Sequence, residues 1–138
     1  MTTEENEALV RRYIDLGNQH DLDAQYNMVS ADCIFHMVFG DLDVIKGRQF
    51  DDMFALEFPD LNSEIVELIA QRDLVSCRVI IRGTNLGPWQ NGPATGKKIE
   101  VPGSWWLRIA EGKIAEYWGF SDRLTFFQQL DVTPPSTT

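Results

Sequence analysis

Two carboxylates and two large aromatic side chains alternate along "AEYWGFSD", residues 115–122. Read as a strand, this stretch puts Glu116, Trp118, Phe120 and Asp122 on one face, because successive side chains of a strand point to opposite sides. Such a face either meets water and turns its aromatics to a partner, or lines a dry pocket where an acid does proton chemistry. In a pocket, the Asp122 carboxyl would be partly desolvated beside Trp118, Phe120 and Trp105. That raises its pKa toward the pH at which general acids and bases work. A structural role competes with this one. "SDRLTFFQQL" reads as a short final helix that Ser121 or Asp122 would cap.

Other residues offer themselves as helpers. His36, on the strand-like "CIFHMVFG", is placed either to hydrogen-bond a substrate carbonyl or orient Asp122, or to sit in the core with one backbone partner. Glu116 is either the second member of an acid/base pair or the partner of Arg78, Arg82 or Arg108. Trp105, in "SWWLR", suits a flat apolar ligand, or packs in the core or a dimer contact. Tyr13, Tyr26, Phe50, Phe54 and Trp89 are candidates for the pocket wall, with Trp89 in a Gly/Pro loop as a candidate cap. Cys33 and Cys77 stand apart without a CxxC or Cys/His cluster, so they read as buried thiols and no metal site is expected. "GPATGKK" lacks the Ser or Thr that a phosphate loop needs after Lys97, and it precedes a strand rather than a helix.

The elements that position these residues follow from periodicity. Leu9, Tyr13 and Leu16 share a helical face, which predicts a helix beginning near Thr3 with Asn6 three residues on. "DLDAQYNMVS" predicts a second short helix capped by Asp21. "GDLDVIKG" reads as a turn and an extended piece. "GRQFDDMFALEFPD" reads as a third helix with Phe50, Met53, Phe54 and Glu57 in one stripe, ended by Pro59. From Leu61 the pattern becomes period two, through "SEIVELIAQRD", "LVSCRVIIRGTN" and a hairpin that turns at Glu111–Gly112. Centring that turn pairs Leu107 with Glu116 and Trp105 with Trp118. It puts Trp105, Leu107, Ile109, Ile114, Glu116, Trp118, Phe120 and Asp122 on the face that meets the helices. Helices first and strands after predict an α+β fold with a mostly antiparallel sheet. A single domain over residues 1–131 and a flexible tail over 132–138 are expected.

Composition narrows the partners. The 138 residues carry a net charge of −9, with twelve scattered basic residues, which disfavours nucleic acid and anionic membranes. No apolar run is long enough to span a membrane, and "MTTEENEALV" has no secretory pattern, so a cytoplasmic location is expected.

Five segments in order resemble the SnoaL-like polyketide cyclase family of the nuclear-transport-factor-2-like superfamily. They are "FPDL" at 58–61, "RGTNLG" at 82–87, "GPATGKKIEVPG" at 92–103, "EGKIAEYW" at 111–118, and Asp122 followed by "QQL" at 128–130. The resemblance implies a cone-shaped curved sheet wrapped around N-terminal helices, a homodimer, and no metal or organic cofactor. It implies a cyclase or isomerase of a small apolar, polyketide-like natural product, with Asp122 as acid/base. The absence of a histidine in "SWWLR" departs from some aromatic-polyketide cyclases and leaves the particular reaction open. The alternatives within the same fold are an epoxide-opening hydrolase or cyclase, which would use an Asp-Arg-Asp pocket network, and a non-catalytic binding or assembly module.

Overall fold

Thr2 opens the first helix. Its hydroxyl accepts the Glu5 N–H and the Glu5 carboxylate accepts the Thr2 N–H, both at 3.1 Å, a capping box for α1 (Thr3–Asn18). Asn6 is not part of this cap; it is buried and donates to the Arg72 carbonyl at 3.0 Å. Asp21 caps α2 (Leu22–Tyr26), as its sequence suggests. β1 (Val29–Met37) and β2 (Gly40–Leu42) form a tight antiparallel pair. Asp43 then accepts the Lys46 N–H at 2.8 Å and starts α3 (Val44–Glu57), so "VIK" is helical rather than extended. The chain continues through β3 (Asn62–Gln71), β4 (Leu74–Thr84), β5 (Lys98–Ala110) and β6 (Lys113–Ser121), and ends in α4 (Arg123–Leu130). This computed structural model describes residues 1–90 and 92–133; of the expected tail, 134–138 lie outside the described residues.

The strands make one curved sheet in the order β2-β1-β6-β5-β4-β3, antiparallel except where β1 runs parallel to β6. This is the mostly antiparallel α+β architecture that the element order predicts. Its inner face carries Phe35, Cys77, Val79, Leu107 and Tyr117 against Val10, Tyr13 and Ile14 of α1. A second apolar cluster joins Phe58, Trp89, Ile99 and Val101 to Phe126, Phe127 and Leu130 of α4. No helix among the described residues is long and apolar enough to cross a membrane.

The β5–β6 hairpin corrects the predicted register. Its turn is where expected, with Glu111 at φ 53° and Gly112 at φ 74°, the positive values a two-residue hairpin turn needs. Ile109 faces Ile114, but Arg108 faces Glu116, so Ala115 is an extra residue. This bulge reverses the alternation of everything beyond it. Leu107 therefore faces Tyr117, Trp105 faces Gly119, and Trp106 faces Trp118. Tyr117 and Gly119 turn inward, while Glu116, Trp118 and Phe120 leave the face that meets the helices.

Candidate active site

A cavity of about 230 Å³ opens between the inner face of the sheet and helices α1, α3 and α4. Trp105 and Phe54 line it, and Phe120 reaches its rim although 48% exposed. Tyr13, Tyr26 and Phe50 also line it. Trp89 is buried in the second cluster instead of capping the mouth.

The acid inside this cavity is Asp51, which the sequence reading passes over. Asp51 stands one helical turn after Gly47 on α3, on the same face. A Cβ on Gly47 would lie 3.0 Å from the Phe35 ring and 3.3 Å from the Tyr26 hydroxyl. The glycine thus lets β1 and α2 close on the helix, and Tyr26 donates a 2.5 Å hydrogen bond to Asp51 Oδ2. Burial pushes the Asp51 carboxyl up to about 6; the Tyr26 bond and Arg48 pull down, and Asp52 adds a smaller upward push. Tyr26 is raised by burial and by the Asp51 charge. Tyr13 and Tyr117, both in the cavity wall, are also raised by burial first and feel the Asp51 charge. All three phenols therefore stay protonated at neutral pH and keep an O–H to donate.

Asp122 is not in this apolar setting, and the expected raised pKa is corrected. It is the exposed N-cap of α4, accepting the Thr125 N–H at 3.0 Å and the Thr125 hydroxyl at 2.7 Å. The backbone bond first and the hydroxyl bond second hold its carboxyl below the usual range. His36 and Glu116 are likewise outside the cavity lining, on the outer face of the sheet. The His36 ring stacks on Trp118 at 5.3 Å, with Nε2 2.7 Å from Glu116 and Nδ1 2.9 Å from Asp41. Arg108 lies over the Trp118 ring at 5.7 Å and 3.7 Å from the other Glu116 oxygen. Glu116 and Trp118 thus belong to a surface ion-pair network, for the bulge at Ala115 turns them there. Arg78 and Arg82 are exposed partners of Glu67 and of Glu64 and Glu100, away from the cavity.

The sequence motifs are structural. Asp60 of "FPDL" accepts the Thr84 N–H at 2.6 Å and the Thr84 hydroxyl at 2.7 Å. The buried Asn85 side chain donates to the Glu57 and Gly87 carbonyls and accepts the Thr95 N–H at 2.7 Å. "FPDL", "RGTNLG" and "GPATGKK" are therefore one interlocked corner beneath the cavity, where Phe58 is fully buried.

The SnoaL-like polyketide cyclase model matches residues 7–130. No curated protein matches this sequence. Among solved structures, AclR from Streptomyces galilaeus, described as a candidate hydroxylase, is 22% identical with a TM-score of 0.89, over 96% of this chain and 100% of that one. IdmH from Streptomyces antibioticus, described as a candidate polyketide cyclase, is 23% identical with a TM-score of 0.81, over 92% and 99%. A candidate SnoaL-like polyketide cyclase from Jannaschia sp. CCS1 is 19% identical with a TM-score of 0.85, over 96% and 95%. At these identities the likeness is one of fold.

Proposed function

The chain belongs to the SnoaL-like polyketide cyclase family, and we propose that it is a cofactor-independent cyclase or isomerase whose acid/base group is Asp51 rather than Asp122. The observation that carries this reading is a carboxyl in an apolar cavity, with its pKa near 6 and Tyr26 bonded to it. At neutral pH it is mostly ionised, so it acts first as a base. It takes a proton from a carbon beside a substrate carbonyl, and the electron pair moves to the carbonyl oxygen. Tyr13 and Tyr117 supply hydroxyl donors in the same wall for that oxygen. The enolate carbon then attacks a second carbonyl and closes the ring, and the new alkoxide takes the proton back from Asp51. An isomerase would return the proton to a different carbon. The substrate is small, flat and apolar, to match Trp105, Phe50 and Phe54.

Epoxide opening has less support. Arg48 does bridge Asp23 at 2.9 Å and Asp52 at 3.0 Å, but outside the cavity lining. The proposal includes a cytoplasmic homodimer formed through the outer sheet face, where Trp106 and Ile69 are exposed; sedimentation and cell fractionation test it. The activity is tested with a panel of aryl poly-β-ketones, ring closure being followed by absorbance and chromatography. Asp51→Asn should lose at least about a hundredfold in kcat while staying folded. Undiminished turnover in that variant refutes the assignment.

A further inference from the structure

We propose that Arg123 binds a carboxylate on the molecule that occupies the cavity, so that the ligand is a flat apolar body with an acid group at the mouth. This rests on the reading of the cavity as a substrate site. Arg123 lines the cavity beside Phe39, Phe120 and Ser121. Its guanidinium lies 5.3 Å from the centre of the Phe39 ring and 5.2 Å from that of Phe127. Two rings thus hold a planar fork in place, and a held fork suits a carboxylate, which it can grip with two parallel N–H bonds.

What sets Arg123 apart is that this half-buried cation has no anion among the described residues. Arg48, Arg78, Arg82 and Arg108 all pair with carboxylates. Arg11, Arg12 and Arg72 form no ion pair among the described residues, but they are exposed and water serves them. Arg123 is half-buried, and among the described residues no carboxylate lies within 4.0 Å of it. Its neighbour Asp122 turns both oxygens to Thr125. Desolvation lowers the Arg123 pKa, and no carboxylate among the described residues offsets it. The first turn of a helix is also where the helix dipole disfavours a cation. The two ring contacts hold the guanidinium without neutralising it, and no ion pair among the described residues does so, whereas an acidic ligand would relieve both penalties.

The cavity wall connects this cation to the chemistry. Phe39 and Phe50 have ring centroids 5.2 Å apart, and Phe50 and Phe54 stack at 5.8 Å with 14° between their planes. Asp51 follows Phe50 on the same helix. A flat ligand laid along these rings has its acid at Arg123 and its body against the wall that holds Asp51.

The test compares 2-naphthoate with methyl 2-naphthoate, both titrated calorimetrically into the full chain at pH 8. The wild type should bind the acid about tenfold tighter than the ester. Arg123→Gln should abolish that preference and keep the affinity for the ester, which also shows that the cavity is intact. Arg123→Lys should keep part of the preference. Equal binding of acid and ester by the wild type, or a preference that survives in Arg123→Gln, overturns the proposal and leaves the acid/base role of Asp51 standing. Failure of both probes to bind overturns the proposal together with the substrate cavity beneath it.

Discussion

The hydrogen bond from Tyr26 to Asp51 works against the burial of the carboxylate it touches. Burial raises the Asp51 pKa and the Tyr26 bond lowers it, so the value near 6 is a balance between them. Tyr26→Phe removes the bond and leaves the burial. The carboxyl should then titrate higher, and the acid limb of the kcat/KM profile should move from near pH 6 toward about pH 7. Carboxyl ¹³C NMR titration and the pH–rate profile should shift together. A midpoint unmoved in Tyr26→Phe would remove the phenol from the mechanism.

Asp122 should matter for stability and not for turnover. Its two bonds to Thr125 stabilise the ionised form. The folded pKa lies below the unfolded value of about 3.9. The stabilisation is present above that unfolded value and is lost as pH falls through the lower folded one. Asp122→Ala should lower Tm by a few degrees at pH 7, with the gap to wild type closing in acid. Its kcat should stay within about twofold of wild type. A collapse of turnover with Asp51 still titrating normally would return the chemistry to Asp122.

These two acids show what the sequence could and could not convey. The Asp21 cap, the hairpin turn and the inward Trp105 follow from local rules, and the element order is enough for an α+β sheet, whereas the Thr2 and Asp43 caps show only in the structure. The bulge at Ala115 is invisible to a period-two pattern, because Trp105 and Trp106, or Tyr117 and Trp118, look apolar on either face. One extra residue then exchanges Tyr117 for Trp118 in the pocket. Asp51 was hidden for a different reason. It sits beside Phe50 in a helix whose spacing runs the apolar stripe through Met53, and Met53 is 51% exposed. The informative signal was Gly47 four residues earlier, but its meaning depends on Tyr26 and Phe35, which reach it only in the folded chain.

His36 should act as a pH-dependent clasp on the outer face. Its ring lies between Glu116 and Asp41, and these two bonds raise its pKa, Glu116 contributing most. The folded value is above the unfolded one of about 6.5, so the stabilisation is full below that pH and fades as pH rises through the folded value. Wild type should therefore exceed His36→Gln in Tm by more at pH 6 than at pH 9. Turnover of His36→Gln should stay within about twofold. A large loss of kcat in a folded variant would place His36 back in the chemistry.

Gly87 marks the interlocked corner. A Cβ there would lie 2.0 Å from the Leu56 carbonyl oxygen and 2.8 Å from its carbon, both backbone atoms that cannot step aside. Gly87→Ala should cost about 3 kcal/mol or more in urea melts. Gly96→Ala is the control, since φ is +70° there and no atom lies within 4 Å of the added carbon. Strain alone should cost about 1 kcal/mol at that position. Equal losses at the two glycines would mean that the corner is not held by close packing.

Asp51 should be bad for the fold in proportion to its use. The folded carboxyl holds its proton up to about pH 6, while the unfolded one releases it near 3.9. As pH rises between these values the unfolded state ionises first, so stability falls, by about 3 kcal/mol at most once both are ionised. An asparagine side chain in its place would carry no charge to desolvate, and the amide oxygen can still accept from Tyr26. Asp51→Asn should therefore melt above wild type at pH 8, with the advantage shrinking toward pH 4. The combination of higher Tm and lost turnover is what a desolvated, proton-trading acid requires. A variant no more stable than wild type at pH 8, with the same gap at pH 4, would show that the carboxyl is hydrated in solution. The base near neutral pH would then have to be sought elsewhere in the cavity.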